Sequence, residues 1–161
     1  MIYYYHCYRG AHLSCVAAAL HLGVLKPSAG VKDILGLEYF DVLQNRDMGT
    51  PVLAGHSKGD PVCFLGLGPG SKIFARYAQS VTKELQVELP YKSVDCLGCL
   101  NLFTRVGGFT SRYRPLKNLG RRLAARGVHK SLGKIYALVL QARDSSSIIS
   151  GGAGEKSHTR P

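Results

Sequence analysis

The feature that most constrains the fold is the change from a strand pattern to a helix pattern across Gly10. Residues 2–8 are rich in tyrosine and apolar side chains, which is typical of a buried strand. From Ala11 the sequence becomes alanine-rich, with apolar residues at helical spacing as far as Gly23. A strand, a short glycine turn and a helix are the beginning of a βαβ unit, so this opening predicts a parallel sheet covered by helices.

Strand and helix patterns continue along the chain. We expect further strands at 51–54, 61–67, 94–97 and 135–140, and helices at 31–37, 72–85, 99–109 and 115–126. The strands at 51–54 and 61–67 either form a hairpin or lie apart. The run at 135–140 is apolar throughout, which predicts a central strand.

This alternation predicts one α/β domain over residues 1–143, with three layers and a mostly parallel sheet. The remaining residues, 144–161, are rich in serine and glycine, and we expect them to form a disordered tail.

Composition excludes several classes of protein. The chain has 161 residues, of which 45% are hydrophobic and 19% charged, a balance typical of a globular protein. It contains no uninterrupted apolar run of about 18 residues, so no membrane-spanning segment is expected. The first residues lack a basic region before an apolar run, and the five cysteines are an odd number, which favours free thiols. We therefore expect a cytoplasmic protein.

Positive charge is concentrated in the second half of the chain. The formal net charge is +11, from 21 Lys and Arg against 10 Asp and Glu, and no acid occurs between residues 96 and 143. Such a block attracts phosphate groups on nucleotides, nucleic acids or lipids. The alternative is a solvated basic face without a dedicated partner.

The loop after the first strand carries the first candidate site. Helix N-terminal amides favour anions, and here Arg9, Gly10 and Ser14 are candidate phosphate-binding residues. His12 is a candidate acid or base and Cys7 a candidate nucleophile. The loop is neither a Walker A motif nor a cysteine phosphatase loop. The alternative is that Cys7 is a buried strand residue and His12 only caps the helix.

A second candidate site lies at residues 105–112. Gly107 and Gly108 interrupt an otherwise helical pattern, at a cost of roughly 1 kcal/mol each. Either the glycines let the backbone approach an anion, held by Arg105, Ser111 and Arg112, or they form a turn between two helices. The glycine-rich segment at 66–71 either faces a phosphate as well or, as we favour, is an ordinary strand-to-helix turn.

Cys96 and Cys99 have the spacing of a zinc or redox pair. A zinc site needs two further ligands, and no second pair of suitable spacing exists in the sequence. We interpret the spacing as chance and expect no metal site. The sequence identifies no cofactor.

The chain resembles a known family. The segment 6–14, with His6, Cys7, Gly10, His12 and Ser14, followed by the alanine-rich segment 17–23, is similar to the opening of the bacterial proteins called domain of unknown function 3189. Later segments at 66–68, 101–112 and 120–127 are also similar, and the likeness spans about residues 1–143. The resemblance implies a family but no activity. The chain departs from the family pattern at Arg9 and at Leu13.

Two functional hypotheses follow. The first is a phosphate- or nucleotide-binding protein, either a binding protein alone or an enzyme acting on a phosphorylated substrate, whose site combines residues 9–14 with residues 105–112 and Arg121. The second is a non-catalytic module whose basic residues at 105–134 bind nucleic acid or an acidic protein. An enzyme-like site requires His12, Ser14 and at least one of these arginines around one cavity, whereas a module predicts arginines spread over an open face.

Overall fold

The computed structural model describes residues 1–86 and 90–144. Its strands are β1 (Ile2–Cys7), β2 (Val52–Ser57), β3 (Asp60–Gly66) and β4 (Tyr91–Asp95). Its helices are α1 (Leu13–His21), α2 (Val31–Leu35), α3 (Ser71–Glu84), α4 (Leu102–Thr110), α5 (Lys117–Lys130) and α6 (Leu132–Asp144). The α/β class is therefore confirmed.

The four strands form one mixed sheet in the order β2-β3-β1-β4. Strand β1 is central and pairs in parallel with both β3 and β4, whereas β2 pairs antiparallel with β3. The mostly parallel sheet that we expected is therefore modified by a hairpin at one edge. Its turn is Lys58-Gly59, and both residues have positive φ, as a two-residue hairpin turn requires.

The predicted strand, glycine turn and helix at the N-terminus are confirmed. Every residue of α1 is buried. Its last residue, His21, contacts the rings of Tyr3 and Tyr5 on one face of β1. Phe74 of α3 contacts Tyr4, whose side chain projects from the strand in the opposite direction.

The strand predicted at 135–140 is wrong, because these residues lie within helix α6. The buried positions of α6 are Leu132, Ile135, Val139 and Ala142, which follow one another at three- and four-residue steps. An apolar run alone does not distinguish a buried strand from a buried helix, since both can be apolar throughout. The helical spacing becomes visible only when the buried residues on either side of the run, Leu132 and Ala142, are included.

The glycines at 107 and 108 do not interrupt their helix, and the predicted break is wrong. Helix α4 continues through both, and each serves packing. A Cβ on Gly107 would overlap the backbone of Ala124 in α5, and a Cβ on Gly120 of α5 would overlap the backbone of Ser111. Helices α4 and α5 therefore lie in direct backbone contact, which only glycine permits.

The predicted disordered tail, apart from Asp144 at the end of α6, lies outside the described residues. Among residues 1–86 and 90–144, no helix is long and apolar enough to cross a membrane.

Candidate functional site

The loop between β1 and α1 is held in shape by close backbone packing. Gly10 has φ +77°, and a Cβ there would stand 2.7 Å from the backbone nitrogen of Gly66. Gly66 ends β3, and a Cβ at that position would overlap the backbone of Arg9. The loop therefore lies across the carboxyl ends of two neighbouring parallel strands, where ligands of α/β sheets are commonly bound.

His12 and Asp41 form a buried pair at the start of α1. His12 Nε2 lies 2.9 Å from Asp41 Oδ1, and both side chains are less than a tenth exposed. The His12 ring also packs edge-on against Phe40, with the ring centroids 5.2 Å apart. The imidazole is thus fixed on two sides.

The main chain holds Asp41 in place. Its φ is 60°, in the left-handed region that aspartate adopts more readily than most residues, and its N–H donates to the carbonyl of Ala11 at 2.8 Å. Ser111 Oγ donates to Asp41 Oδ1 at 3.0 Å. The carboxylate therefore connects the loop after β1 with the end of α4.

The surroundings of Asp41 favour its ionised form. Burial raises the pKa of this carboxyl, but the hydrogen bond and charge of His12, the hydrogen bond of Ser111 and the charge of Arg121 together bring the pKa below its usual value of 3.8. An ionised Asp41 can only accept, so Nε2 of His12 is the donor. In the neutral ring Nδ1 is then unprotonated and able to accept a proton.

His12 opens on a cavity of about 700 Å³. The walls come from the loop after β1, the segment that follows β4, and helix α4. Three arginines line it, namely Arg9, Arg105 and Arg112, together with Cys7 and Gly108. Most other lining side chains are apolar, namely Leu13, Leu97, Leu100, Leu102, Val106 and Phe109, and Tyr8 adds an aromatic ring with a hydroxyl.

A second cavity of about 500 Å³ lies beside the first, and Arg9 and Arg112 line both. Its other lining residues include Asp41 and Ser111, and the cations Arg46, Arg114 and Lys117. We call this the basic cavity, and the larger one the apolar cavity.

Arg9 lies between the two cavities, and only part of its guanidinium group is hydrogen-bonded to the protein. Its Nη1 donates to the carbonyl of Gly108 at 3.4 Å, while its Nε is buried and lacks a hydrogen-bond partner in the described chain. Burial and the charge of Arg112 lower the pKa of Arg9 below its usual value, and Asp41 opposes them. An anion at this position would satisfy Nε and relieve the repulsion between the two arginines.

The structure brings together many of the residues predicted from the sequence, but not all. Cys7, Arg9, His12, Arg105, Gly108 and Arg112 line the apolar cavity, and Ser111 lines the basic one. Gly10 shapes the loop without lining either cavity, and Gly107 packs against α5.

Ser14 and Arg121 line neither cavity, so the enzyme-like arrangement expected from the sequence is met by His12 and the arginines of the apolar cavity but not by Ser14. The Ser14 hydroxyl is fully buried, donates to the carbonyl of Gly10 at 3.1 Å and lies 3.3 Å from Cys7 Sγ. Since the Ser14 proton is used on Gly10, the Cys7 thiol is the donor of the pair. Arg121 Nη2 donates to the carbonyl of Leu35 at 3.0 Å, joining α5 to α2.

Asp41 was not identified from the sequence. It lies in an irregular segment after α2, far in the sequence from both partner side chains, and no local pattern connects it with His12. The only local signal is its residue type, since aspartate is enriched at positive φ.

The five cysteines are all free thiols and buried. Within residues 1–86 and 90–144, no group of three or more His, Cys, Asp or Glu side chains could hold a metal ion. The Cys96 and Cys99 thiols therefore have no additional ligands in the part of the chain that the structure describes.

The fold and site together define an α/β protein with an arginine-lined cavity at the carboxyl edge of its sheet. A family model, described as "Protein of unknown function (DUF3189)", matches residues 2–144, and the chain belongs to that family. The resemblance seen in the sequence is thereby confirmed. Searches of curated proteins and of solved structures found no match.

Proposed function

We propose that this protein binds a phosphorylated small molecule or nucleotide where the two cavities meet, and that it is an enzyme acting on that ligand. The observation that carries the proposal is that His12, oriented by Asp41, opens on the same cavity as Arg9, Arg105 and Arg112. Guanidinium groups form paired hydrogen bonds with phosphate oxygens, and a fixed imidazole can move a proton at neutral pH.

Arg9 and Arg112 would contact the phosphate, because both side chains reach the two cavities. Arg9 Nε is a buried donor without a partner among the described residues, and such a donor is costly unless a ligand or water bonds it. Arg105 is exposed on α4 and would meet the ligand from the opposite wall of the apolar cavity.

His12 would act as the acid or base. Asp41 fixes the ring through Nε2, which leaves Nδ1 for the ligand. This arrangement follows the general rule that a catalytic base is oriented by a third group. A nucleophilic role for Cys7 stays a hypothesis, since its thiol contacts Ser14.

Thermal unfolding with inorganic phosphate tests binding. A ligand that binds only the native state stabilises it by RT ln(1 + [L]/Kd), or about 2.7 kcal/mol at a hundred times Kd. Arg112→Ala should reduce this stabilisation strongly and Arg105→Ala less, because Arg112 lines both cavities and Arg105 only the apolar one. Arg122→Ala and Arg126→Ala are matched controls, because both side chains are exposed on α5 and line neither cavity.

General salt effects stabilise all variants alike, since excluded anions act on the whole surface. Equal stabilisation of the wild-type protein and all four variants would therefore contradict the proposed site. Tight binding of single-stranded nucleic acid, weakened equally by every arginine variant and strongly salt-dependent, would instead favour a basic face that binds nucleic acid.

We place this function in the cytoplasm, an assignment supported by the five free thiols.

We also propose that the helices and the sheet form three layers, with the sheet in the middle. The contacts of His21 with Tyr3 and of Phe74 with Tyr4, on side chains that alternate along β1, support that arrangement.

A further inference from the structure

We infer that the ligand is a soluble phosphate ester of an apolar alcohol, with its phosphate in the basic cavity and its hydrocarbon or aromatic group in the apolar cavity. This inference rests on the proposed function and adds the chemical class of the ligand and its direction of binding.

The basic cavity fits the phosphate. Five cations line it, namely Arg9, Arg46, Arg112, Arg114 and Lys117, against Asp41 as the one carboxylate. Asp41 accepts hydrogen bonds from His12 and Ser111, which stabilise its ionised form, so it supplies one negative charge against the five cations. Arg46 also lies 3.8 Å from the carboxylate of Asp47, which leaves an excess of positive charge that a phosphate would balance.

Away from its arginines and His12, the apolar cavity fits a group with few hydrogen-bonding atoms. Leu102 is 71% exposed and Phe109 is 54% exposed, although both line a concave surface. A ligand that covers them removes apolar surface from water, which favours binding in proportion to the area buried. Exposed apolar patches of this kind mark binding sites.

The polar side chains of this cavity leave little for a sugar or a base to bind. The Thr104 hydroxyl lies 3.1 Å from Asn101 Oδ1 and is already used. The Cys7 thiol donates its hydrogen bond to Ser14 Oγ at 3.3 Å. Beyond the arginines, His12 and the Tyr8 hydroxyl, the remaining lining side chains are mostly apolar, so most hydroxyl groups placed deep in the cavity would lack partners and be disfavoured.

The two cavities join at Arg9 and Arg112, with His12 on the apolar side and Asp41 on the basic side. A phosphate held by these arginines places the ester oxygen, the atom between the two halves of the ligand, on the side of His12. In this orientation the ester oxygen of the ligand lies next to His12, the candidate acid or base.

Titration calorimetry with inorganic phosphate, butyl phosphate, phenyl phosphate and glycerol phosphate tests the inference. Butyl and phenyl phosphate should bind about tenfold or more tightly than inorganic phosphate, since each buried methylene favours transfer from water. Glycerol phosphate, which has a similar length but two hydroxyl groups, should not share this gain.

Substitutions separate the two halves of the site. Leu102→Ser with Val106→Ser should abolish the gain of the apolar esters and leave the affinity for inorganic phosphate unchanged. Ile73→Ser is the matched control, because Ile73 is also 71% exposed but lies on α3 and lines neither cavity. Arg114→Ala with Lys117→Ala should weaken all four ligands by the same factor, about tenfold, because each loses the same charged contacts.

The outcomes distinguish the two proposals. If inorganic phosphate binds and the apolar esters bind no more tightly, the ligand class is wrong and the proposed function stands. If glycerol phosphate binds as tightly as butyl phosphate, or if the protein binds only vesicles containing phosphatidic acid and no soluble ester, the inference is overturned. If none of the four ligands binds, the proposed function itself fails.

Discussion

The ring of His12 lies against Gly108 so closely that a Cβ added to Gly108 would stand 2.9 Å from Cε1 of His12. His12 belongs to the loop after β1 and Gly108 to α4. Helix α4 thus closes one side of the candidate site through its backbone. The glycine is required there because any side chain would occupy the space of the imidazole.

Gly108→Ala should therefore displace the His12 ring. The added methyl group must move the imidazole or α4, and overpacking of this kind costs roughly 1–3 kcal/mol. Urea unfolding measures the loss. Gly133→Ala is the control, because no atom lies within 4 Å of a Cβ at Gly133 in α6, and alanine there should stabilise the helix by about 0.5–1 kcal/mol. Equal effects of the two substitutions would contradict the packing described.

Gly107→Ala should cost more stability than Gly108→Ala. Its Cβ would meet the backbone of Ala124, and backbone cannot rotate away as a side chain can. The expected loss is about 3 kcal/mol or more, at the upper end of overpacking effects. Thermal unfolding by circular dichroism measures it, and an unchanged melting temperature would show that α4 and α5 are not in backbone contact.

Stability should decrease as the pH falls from about 6.5 to about 4, because of His21. Its ring nitrogen Nδ1 lies 2.7 Å from the Tyr5 hydroxyl, and burial together with the charge of Arg143 lowers the pKa of His21 from 6.5 to about 4, with Asp60 opposing. Between these values the unfolded chain binds more protons than the folded protein, so the free energy of unfolding decreases as the pH is lowered. His6 adds to this in the same direction, since burial lowers its pKa and Asp95 opposes.

Urea midpoints measured at intervals between about pH 7 and about pH 4 check this dependence. His21→Gln should reduce the slope, whereas His129→Gln, which changes an exposed residue of α5, should keep it. A slope that is the same in the wild-type protein and His21→Gln would rule out His21 as the source.

Four thiols should react slowly with Ellman's reagent in the folded protein. Burial raises the pKa of Cys15 and Cys96 well above its usual value and raises those of Cys63 and Cys99 as well, which lowers the thiolate fraction. We expect reaction at least about tenfold slower than in the unfolded chain, with modified residues assigned by mass spectrometry. Reaction of Cys96 or Cys99 at the rate of the unfolded chain would show that this pair is accessible.

Local sequence determined the elements whose side-chain period is unambiguous. The tyrosine-rich strand, Gly10 and the buried helix α1 occur as predicted, because a change in period across a glycine leaves few alternatives. The candidate loop at residues 9–14 followed from this, since its position after a parallel strand is a consequence of the βαβ pattern, whereas the central place of β1 in the sheet is known only from the structure.

Tertiary packing decided the rest. The apolar run at 135–140 has no period of its own, so only its contacts in the core make it part of α6. Gly107 and Gly108 reduce helix propensity locally. Helix α4 still forms, because the two glycines let it pack closely against α5 and His12, whose atoms occupy the space that larger side chains would fill. Asp41 reaches His12 only when the chain has folded, since a contact between residues so far apart in sequence depends on the whole arrangement and leaves no periodic signal.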